Sequence, residues 1–214
     1  MRIGILGSGL IGGPLGTLFA RAGHEVVFSY SRHEERLLAL AREAGDTARA
    51  GTPREAAEDA DALLLAVHWS RIPDVLEQAG DLSGKALITC CLPRDVENTV
   101  LLIGHTWSGA EELAKRFPAA RVVSAFHTIP NQVLAGVFAR RNEQSRPSLV
   151  YCGDDADSKV LAAGLIRDIG FDPVDAGPLR LARYTEPFAL LMARLAYGGT
   201  AGPDLAYRFE HFPG

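Results

Sequence analysis

The stretch Gly7-Ser8-Gly9-Leu10-Ile11-Gly12 decides the fold. It follows the apolar run from Ile3 to Leu6 and opens a helix-length apolar stretch that continues to Ala22. Between a strand and a helix, the first glycine of such a fingerprint permits a tight turn, the second lets a pyrophosphate approach the backbone, and the third allows close helix packing. The phosphates then lie at the positive N-terminus of the helix. The stretch therefore predicts a dinucleotide site, with its backbone and side chains in contact with the cofactor at Gly7, Ser8, Gly9, Leu10, Ile11 and Gly12.

Short apolar runs alternate with helix-length stretches over most of the remaining chain. The predicted strands after the first are Val26 to Phe28, Leu63 to Val67, Ala86 to Thr89, Arg121 to Ala125, Ser148 to Cys152 and Pro173 to Asp175. This alternation is typical of βαβ units and predicts an α/β Rossmann domain with a doubly wound, mostly parallel sheet. We place this NAD(P)-binding domain at residues 1–177. Residues 178–214 are expected to form a small helical C-terminal element that supplies an acceptor site or a dimer contact.

The composition excludes several classes of protein. The chain has 214 residues, of which 47% are hydrophobic, and a formal net charge of -4. Such a chain buries a substantial core, and its acidic balance argues against binding nucleic acid. Glycines interrupt the apolar N-terminus, so neither a signal peptide nor a membrane span is expected. The three cysteines form no framework of pairs and no His, Cys and Asp cluster has metal-binding spacing, which favours a cytoplasmic protein without a metal.

The end of the second strand indicates which dinucleotide is bound. An NAD site usually carries an Asp or Glu about 20 residues beyond the fingerprint, where it binds the ribose. Here the chain reads Phe28-Ser29-Tyr30-Ser31-Arg32-His33, without a carboxylate. Hydroxyl groups of Ser29 or Ser31 and the guanidinium of Arg32 suit a 2′-phosphate, so the sequence predicts NADP(H). The alternative is that Ser31 and Arg32 are a solvated start of the next helix.

Two further loops are expected to line the cofactor, because ligands of open α/β sheets bind beyond the carboxyl ends of the strands. One loop contributes Val67, His68 and Trp69, and the other contributes Cys91 and Pro93. Trp69 either covers the ribose or nicotinamide or packs in the core. No nucleophilic role is assigned to the cysteines, which lack an evident activating neighbour.

Three blocks, Val122 to Pro130, Val150 to Asp155 and Asp175 to Leu179, together with the opening fingerprint, carry a family resemblance. The chain resembles the NADP-dependent reductases of the deazaflavin coenzyme F420 over nearly its full length. The resemblance implies hydride transfer between NADP(H) and coenzyme F420, a 2′-phosphate held by Ser31 and Arg32, and a homodimer. His68 stands where that family is expected to have a proline, and residues 94–106 and 197–202 also differ. The acceptor therefore stays open among the deazaflavin, another flavin, a ferric chelate and a small carbonyl or imine, and a non-catalytic NADP(H) sensor is a further alternative.

His127 is the candidate catalytic residue, and the neighbouring Thr128 is expected to contact the cofactor. His127 follows a predicted strand at the ligand-binding edge, where it would hydrogen-bond the acceptor ring and stabilise charge that develops during reduction. A structural histidine that satisfies backbone groups is an equally weighted alternative.

The predicted C-terminal helix carries arginines and an apolar stripe. The arginines contact either an acidic tail of the acceptor or a partner subunit, or else form a solvated face; they are Arg180, Arg183 and Arg194. The apolar side chains recur at helical spacing and predict a core contact or a dimer interface; they are Phe188, Leu191, Met192 and Leu195.

Overall fold

The protein forms one eight-stranded sheet, which a computed structural model describes for residues 1–200 and 202–212. The strands are β1 (Arg2–Leu6), β2 (Glu25–Ser29), β3 (Ala48–Ala50), β4 (Ala62–Leu65), β5 (Ala86–Thr89), β6 (Arg121–Ser124), β7 (Ser148–Gly153) and β8 (Asp172–Asp175). Their spatial order is β3-β2-β1-β4-β5-β6-β7-β8, and every pair is parallel except β6 with β7. The predicted Rossmann fold with a mostly parallel sheet is therefore confirmed.

Helices cover both faces of the sheet. They are α1 (Gly12–Arg21), α2 (Glu34–Ala44), α3 (Pro53–Glu58), α4 (Ile72–Ala79), α5 (Gly109–Arg116), α6 (Val133–Ala139), α7 (Ala156–Asp168) and α8 (Ala182–Tyr197). Successive side chains of a strand point to opposite faces, so Ile5 joins a core with α1, α2, α6 and α7, while Leu6 joins a second core with α3, α4 and α5. The central strands β1, β4 and β5 are buried on both sides, which explains their continuous apolar runs.

The order of the strands places a crevice at their carboxyl ends. From β1 the chain builds outward through β2 and β3, and then returns to the other side of β1 with β4. The connections on the two sides of β1 diverge at this point, which leaves room for a ligand above β1 and β4. In the described part of the chain, no helix has the length and apolar character needed to cross a membrane.

The C-terminal residues return to the sheet domain. Tyr207 accepts the backbone N–H of Ser148 on its carbonyl oxygen at 2.8 Å, and the N–H of Phe209 donates to Ser148 Oγ at 3.0 Å. The segment that follows α8 is thus bonded to the start of β7. The division at residue 177 stays a prediction, and within its C-terminal element Ala201, Pro213 and Gly214 lie outside the described residues.

Candidate active site

The fingerprint glycines have three different surroundings. Gly7 has a φ of 111° and a Cβ there would lie 2.5 Å from the Ala66 carbonyl oxygen, whereas a Cβ on Gly12 would lie 1.9 Å from the Gly7 carbonyl oxygen. A Cβ on Gly9 would meet nothing within 4 Å. Close backbone contacts therefore require glycine at positions 7 and 12, the two ends of the turn, whereas the space in front of Gly9 near the start of α1 is open. This arrangement fits a dinucleotide pyrophosphate.

A cleft of about 1580 Å³ runs from the fingerprint to α8. Most sites for one small molecule measure about 300–1,000 Å³, so this cleft accommodates a dinucleotide together with a second ligand. Most of the predicted site residues line it, namely Gly7, Ser8, Gly9, Leu10, Ile11, Ser31, Arg32, Val67, His68, Cys91, His127 and Thr128.

The structure does not bring four predicted residues to the wall of the cleft. Gly12 lies inside the turn, and the buried Ser29 donates its hydroxyl to the Ile5 carbonyl oxygen at 2.7 Å, so this hydroxyl faces away from a 2′-phosphate. Trp69 and Pro93 lie against Gly109 at the start of α5, where a Cβ would be 3.2 Å from Trp69 Cζ3 and 2.8 Å from Pro93 Cδ. Trp69 thus has the packing role rather than a position over the cofactor.

The adenosine end of the cleft is rich in positive charge. Arg32 and Ser31 lie there with Arg36 and Arg71, while Asp74 is the one carboxylate of the described residues that lines the cleft. The Tyr30 hydroxyl donates a hydrogen bond to Asp74, and burial, followed by this bond, raises the pKa of Tyr30 to about 12. Arg36 and Arg71 were not predicted, because they stand in α2 and in a 3-10 turn without a recognisable motif.

His127 is half-buried at the other end of the cleft. Its Nε2 is hydrogen-bonded to Thr185 Oγ1 of α8 at 3.1 Å. Burial lowers its pKa to about 4, and the nearby positive charge of Arg94 acts in the same direction. At pH 7 the imidazole therefore favours its neutral form, in which one ring nitrogen donates a hydrogen bond and the other accepts one.

Thr128 is fixed by a residue from the far end of the chain. Its hydroxyl is hydrogen-bonded to the Tyr207 hydroxyl at 2.7 Å, and the N–H of Val150 donates to the same Tyr207 oxygen at 3.1 Å. The Tyr207 ring packs edge-on against Phe188 of α8, with the ring centroids 5.1 Å apart. The loop that carries His127 is thus joined to α8 and to the C-terminal segment.

Two acidic contacts attach α8 to α5. The buried Glu186 accepts the backbone N–H groups of Gly109 and Ala110, each at 2.9 Å. Burial raises the Glu186 pKa to about 7 although these two bonds oppose the shift. Arg183 donates two hydrogen bonds to Glu111, at 2.9 and 2.7 Å, so this arginine has a structural partner within the chain.

The remaining predicted features of α8 divide between the cleft and the surface. Arg194 lines the cleft, whereas Arg180 is exposed in the 3-10 turn before the helix. In the apolar stripe Met192 is buried, while Leu191 and Leu195 are exposed. Only some side chains of this apolar stripe are therefore buried in the core.

A loop that departs from the family resemblance forms one wall of the acceptor end. Arg94, Asn98 and Thr99 line the cleft, and Arg94 pairs with Leu101 in an isolated bridge. The Asp95 carboxylate accepts the N–H of Thr99 at 2.7 Å, which closes the loop on itself. No sequence motif predicts these contacts.

The two adjacent cysteines are thiols without an activating group. Cys90 Sγ and Cys91 Sγ both donate to the Leu65 carbonyl oxygen at 3.3 Å. Burial raises both pKa values, that of Cys91 to about 11. A thiol in this state is a poor nucleophile at neutral pH.

The strand order, the fingerprint and the cleft above β1 and β4 define a Rossmann-type nucleotide-binding protein. Residues 2–93 match the model of the family described as NADP oxidoreductase, coenzyme F420-dependent. The resemblance is therefore confirmed for residues 2–93, which carry the fingerprint, whereas the three blocks between Val122 and Leu179 lie outside the match. The chain is thus similar to NADP-dependent oxidoreductases.

Known proteins resemble the chain beyond this region. Metalloreductase STEAP3 of Rattus norvegicus is 31% identical over 189 residues, which cover 88% of this chain and 36% of that protein. This chain thus spans little more than a third of the length of that relative. A crystal structure from Arthrobacter sp. FB24, provisionally described as an F420-dependent NADP reductase, has a TM-score of 0.85 at 24% identity and covers 99% of this chain and 100% of its own. The reductive aminase of Aspergillus terreus, solved with NADPH and ethyl-5-oxohexanoate, has a TM-score of 0.67 at 19% identity over 92% of this chain and 61% of its own. At these identities the two structures establish the fold alone.

Proposed function

We propose that the protein transfers hydride between NADP(H) and a deazaflavin, with coenzyme F420 as the acceptor or donor. The observation that carries the proposal is the continuous cleft of about 1580 Å³, with the fingerprint at one end and His127 at the other. Hydride transfer requires that the nicotinamide and the second ring be held in contact, and one cleft that accommodates both ligands supports this.

The charges at the adenosine end favour NADP(H) over NAD(H). Arg32, Arg36 and Arg71 present guanidinium groups beside Ser31, and planar guanidinium groups bind phosphate oxygens through charge-assisted hydrogen bonds. Asp74 is a poor substitute for the ribose-binding carboxylate of an NAD site, because the Tyr30 hydroxyl already bonds to it. The bound nicotinamide supplies the hydride, and the described residues bind and orient it.

His127 acts in this proposal as a neutral hydrogen-bonding group. Its low pKa keeps it uncharged at pH 7, and Thr185 fixes the orientation of its ring. A neutral imidazole so fixed stabilises charge on the second ring by hydrogen bonding, without itself becoming charged. In a His127→Gln variant the hydride-transfer rate is expected to fall while the NADPH affinity is kept; an unchanged rate would assign His127 to the structure alone.

The test is to follow NADPH oxidation by absorbance with purified protein and coenzyme F420. NADH and flavin mononucleotide serve as controls for the two specificities. Rapid bleaching of the deazaflavin with NADPH, and slow bleaching with NADH, is the expected result. NADPH binding without bleaching would retain the nucleotide site and reject the deazaflavin.

The second candidate is an NADPH-dependent reductase of another acceptor, such as a flavin, a ferric chelate or an imine. The 31% identity to a metalloreductase favours it, as does the divergent loop that carries Arg94 and Thr99 at the acceptor end. Faster NADPH oxidation with one of these acceptors than with the deazaflavin would select this candidate. We further propose a cytoplasmic homodimer, for which the exposed side chains of Tyr184 and Leu195 on α8 supply an apolar contact.

A further inference from the structure

A second groove adjoins the acceptor end of the cleft. It has a volume of about 550 Å³ and lies between α6 and residues 204–208 of the C-terminal segment. Gln132 lines both the groove and the cleft, so the two spaces are neighbours on either side of this residue. Tyr197, near the end of α8, donates its hydroxyl to Gln132 Oε1 at 2.6 Å. A ligand that extends past Gln132 would pass from the cleft into the groove.

The groove concentrates arginines in a chain that is acidic as a whole. Arg140, Arg146 and Arg208 line it, against the two carboxylates of Glu143 and Asp204. Arg208 is paired with the carboxylate of Glu210, so the positive charge open to a ligand belongs to Arg140 and Arg146, in a chain whose net charge is -4. An anionic ligand is therefore favoured here over a cationic one.

Two of the arginines keep most of their donors for a ligand. Arg140 Nε donates to the Gly136 carbonyl oxygen and Arg146 Nε to the Glu143 carbonyl oxygen, each at 3.4 Å. Within residues 1–200 and 202–212, neither guanidinium has a carboxylate oxygen within 4.0 Å. Each is thus oriented by a neutral carbonyl and retains its full charge and its terminal NH₂ groups, the pattern that binds phosphate through two parallel hydrogen bonds.

Arg208 and the wall behind it are fixed by bonds within the chain. Arg208 pairs with Glu210 at 3.0 Å and donates to Ser145 Oγ at 2.6 Å. The neighbouring Tyr207 is held by β7 and by Thr128, as described above. These bonds hold the Arg208 and Tyr207 side of the groove in place, which lowers the entropic cost of binding on that side.

We propose that this groove is a phosphate-binding subsite that takes the anionic arm of a ligand whose ring lies at the acceptor end of the cleft. This assignment rests on the proposed function for the identity of the ring, while the phosphate site itself rests on the arginines. Arg140 and Arg146 bind the phosphate oxygens, and Arg208, which is bonded to Glu210 and Ser145, forms the rim.

The first experiment titrates inorganic phosphate into the full chain with NADP bound, so that the arginines of the adenosine end are occupied, and follows the arginine Nε–H signals by NMR. Saturable shifts are expected at Arg140, Arg146 and Arg208 of the groove. In the double variant Arg140→Gln/Arg146→Gln, the remaining Arg208 signal should report binding at least about tenfold weaker, because two charge-assisted contacts are lost. Arg42→Gln, an exposed arginine of α2 outside the groove, is the matched control and should leave binding unchanged. Shifts of Arg140 and Arg146 that do not saturate, or an Arg208 signal that saturates at the same phosphate concentration in the double variant, would overturn the subsite.

The second experiment compares coenzyme F420 with its ring alcohol, which lacks the phosphate-bearing tail, by their dissociation constants on NADP-loaded protein. The tailed ligand is expected to bind about tenfold more tightly to the wild type and no more tightly to the double variant. Equal affinities in the wild type would overturn the placement of the arm. If inorganic phosphate binds but neither deazaflavin does, the proposed function fails while the phosphate subsite stands.

Discussion

The two ends of the cleft are built in opposite ways. The dinucleotide end is formed by backbone at the carboxyl ends of β1, β2 and β4, and steric contacts between Gly7, Gly12 and Ala66 fix it. The acceptor end joins His127, Thr185 and Tyr207, which lie far apart in the chain and meet through side-chain hydrogen bonds. The first end is therefore a property of the sheet, whereas the second depends on where α8 and the C-terminal segment dock.

This difference predicts that the two ends respond separately to substitution. Changes in the fingerprint should act on nucleotide binding or on the whole fold. Changes in α8 and the C-terminal segment should act on the acceptor end and leave nucleotide affinity nearly unchanged.

The largest effect is expected from Gly12→Ala. Its Cβ would lie 1.9 Å from the backbone oxygen of Gly7, so either the turn or α1 must move. Loss of soluble, cooperatively unfolding protein, or of all measurable NADPH binding, is the expected result in calorimetry and fluorescence titration. Gly9→Ala is the matched variant, since its Cβ meets no atom of the chain within 4 Å. It should keep the melting temperature and lose NADPH affinity, because the methyl group occupies the space of the pyrophosphate; unchanged affinity would contradict the assignment of this loop.

Glu186→Ala tests the attachment of α8 to α5. The variant leaves the N–H groups of Gly109 and Ala110 without their buried acceptor, and each unsatisfied group costs about 1–3 kcal/mol. We expect the free energy of unfolding to fall by about 2 kcal/mol or more in denaturant titrations, with NADPH affinity retained in the folded protein. Glu77→Ala on the exposed side of α4 is the control. A loss of stability no larger than that of the control would show that α8 docks without this contact.

The raised pKa of Glu186 also predicts a pH dependence. The folded state holds a proton on Glu186 up to about pH 7, whereas the unfolded state releases it near the ordinary glutamate pKa of 4.5. Between these values the folded state binds more protons, so this contribution to stability is complete below pH 4.5 and is lost as the pH rises towards 7. Glu186→Gln should lack this loss when unfolding is measured from pH 4.5 to 8. The same decline in the variant would assign the dependence to other groups.

Arg32→Ala addresses the adenosine end alone. The removal of one charge-assisted hydrogen bond to a phosphate costs about 1.5–3 kcal/mol, which corresponds to a loss in NADPH affinity of about 10- to 100-fold. The NADH affinity should change little, because NADH lacks the 2′-phosphate. Arg42→Ala in α2 controls for the loss of a surface charge. Equal losses for both nucleotides would show that Arg32 does not read the 2′-phosphate.

The sequence predicted the parts of the molecule that local patterns encode. Continuous apolar runs identified the strands buried on both faces, and the glycine fingerprint located the turn before α1. The short edge strand β3 and the helix α6 were not predicted. The three residues of β3 form no apolar run, since the exposed Arg49 stands between two half-buried alanines, and α6 follows its loop without a side-chain cap. The antiparallel direction of β7 has no local signal, because it depends on the path of the chain after β6.

The site shows the same division. Ser31 and Arg32 line the cleft, as the sequence predicted. Ser29, two residues before Ser31 at the end of β2, is buried, and its hydroxyl donates to the backbone carbonyl oxygen of Ile5. Which serine faces the cleft depends on the residue at which the strand ends, and this position is poorly defined by sequence. Tyr207 and Arg94 could not be predicted, because their roles arise from contacts across more than fifty residues or from an irregular loop.

Tyr207→Phe is expected to have the smallest effect and sharpens the comparison most. The variant keeps the ring against Phe188 and removes one hydroxyl, which leaves Thr128 and the N–H of Val150 without that partner. A loss of stability of about 1 kcal/mol is expected. If Tyr207 positions the loop of His127, the maximal rate of hydride transfer should fall several-fold while the NADPH dissociation constant stays constant. If the lower rate results only from partial unfolding, it should return to the wild-type value when the variant is assayed at a lower temperature. That result would assign Tyr207 a role in stability alone.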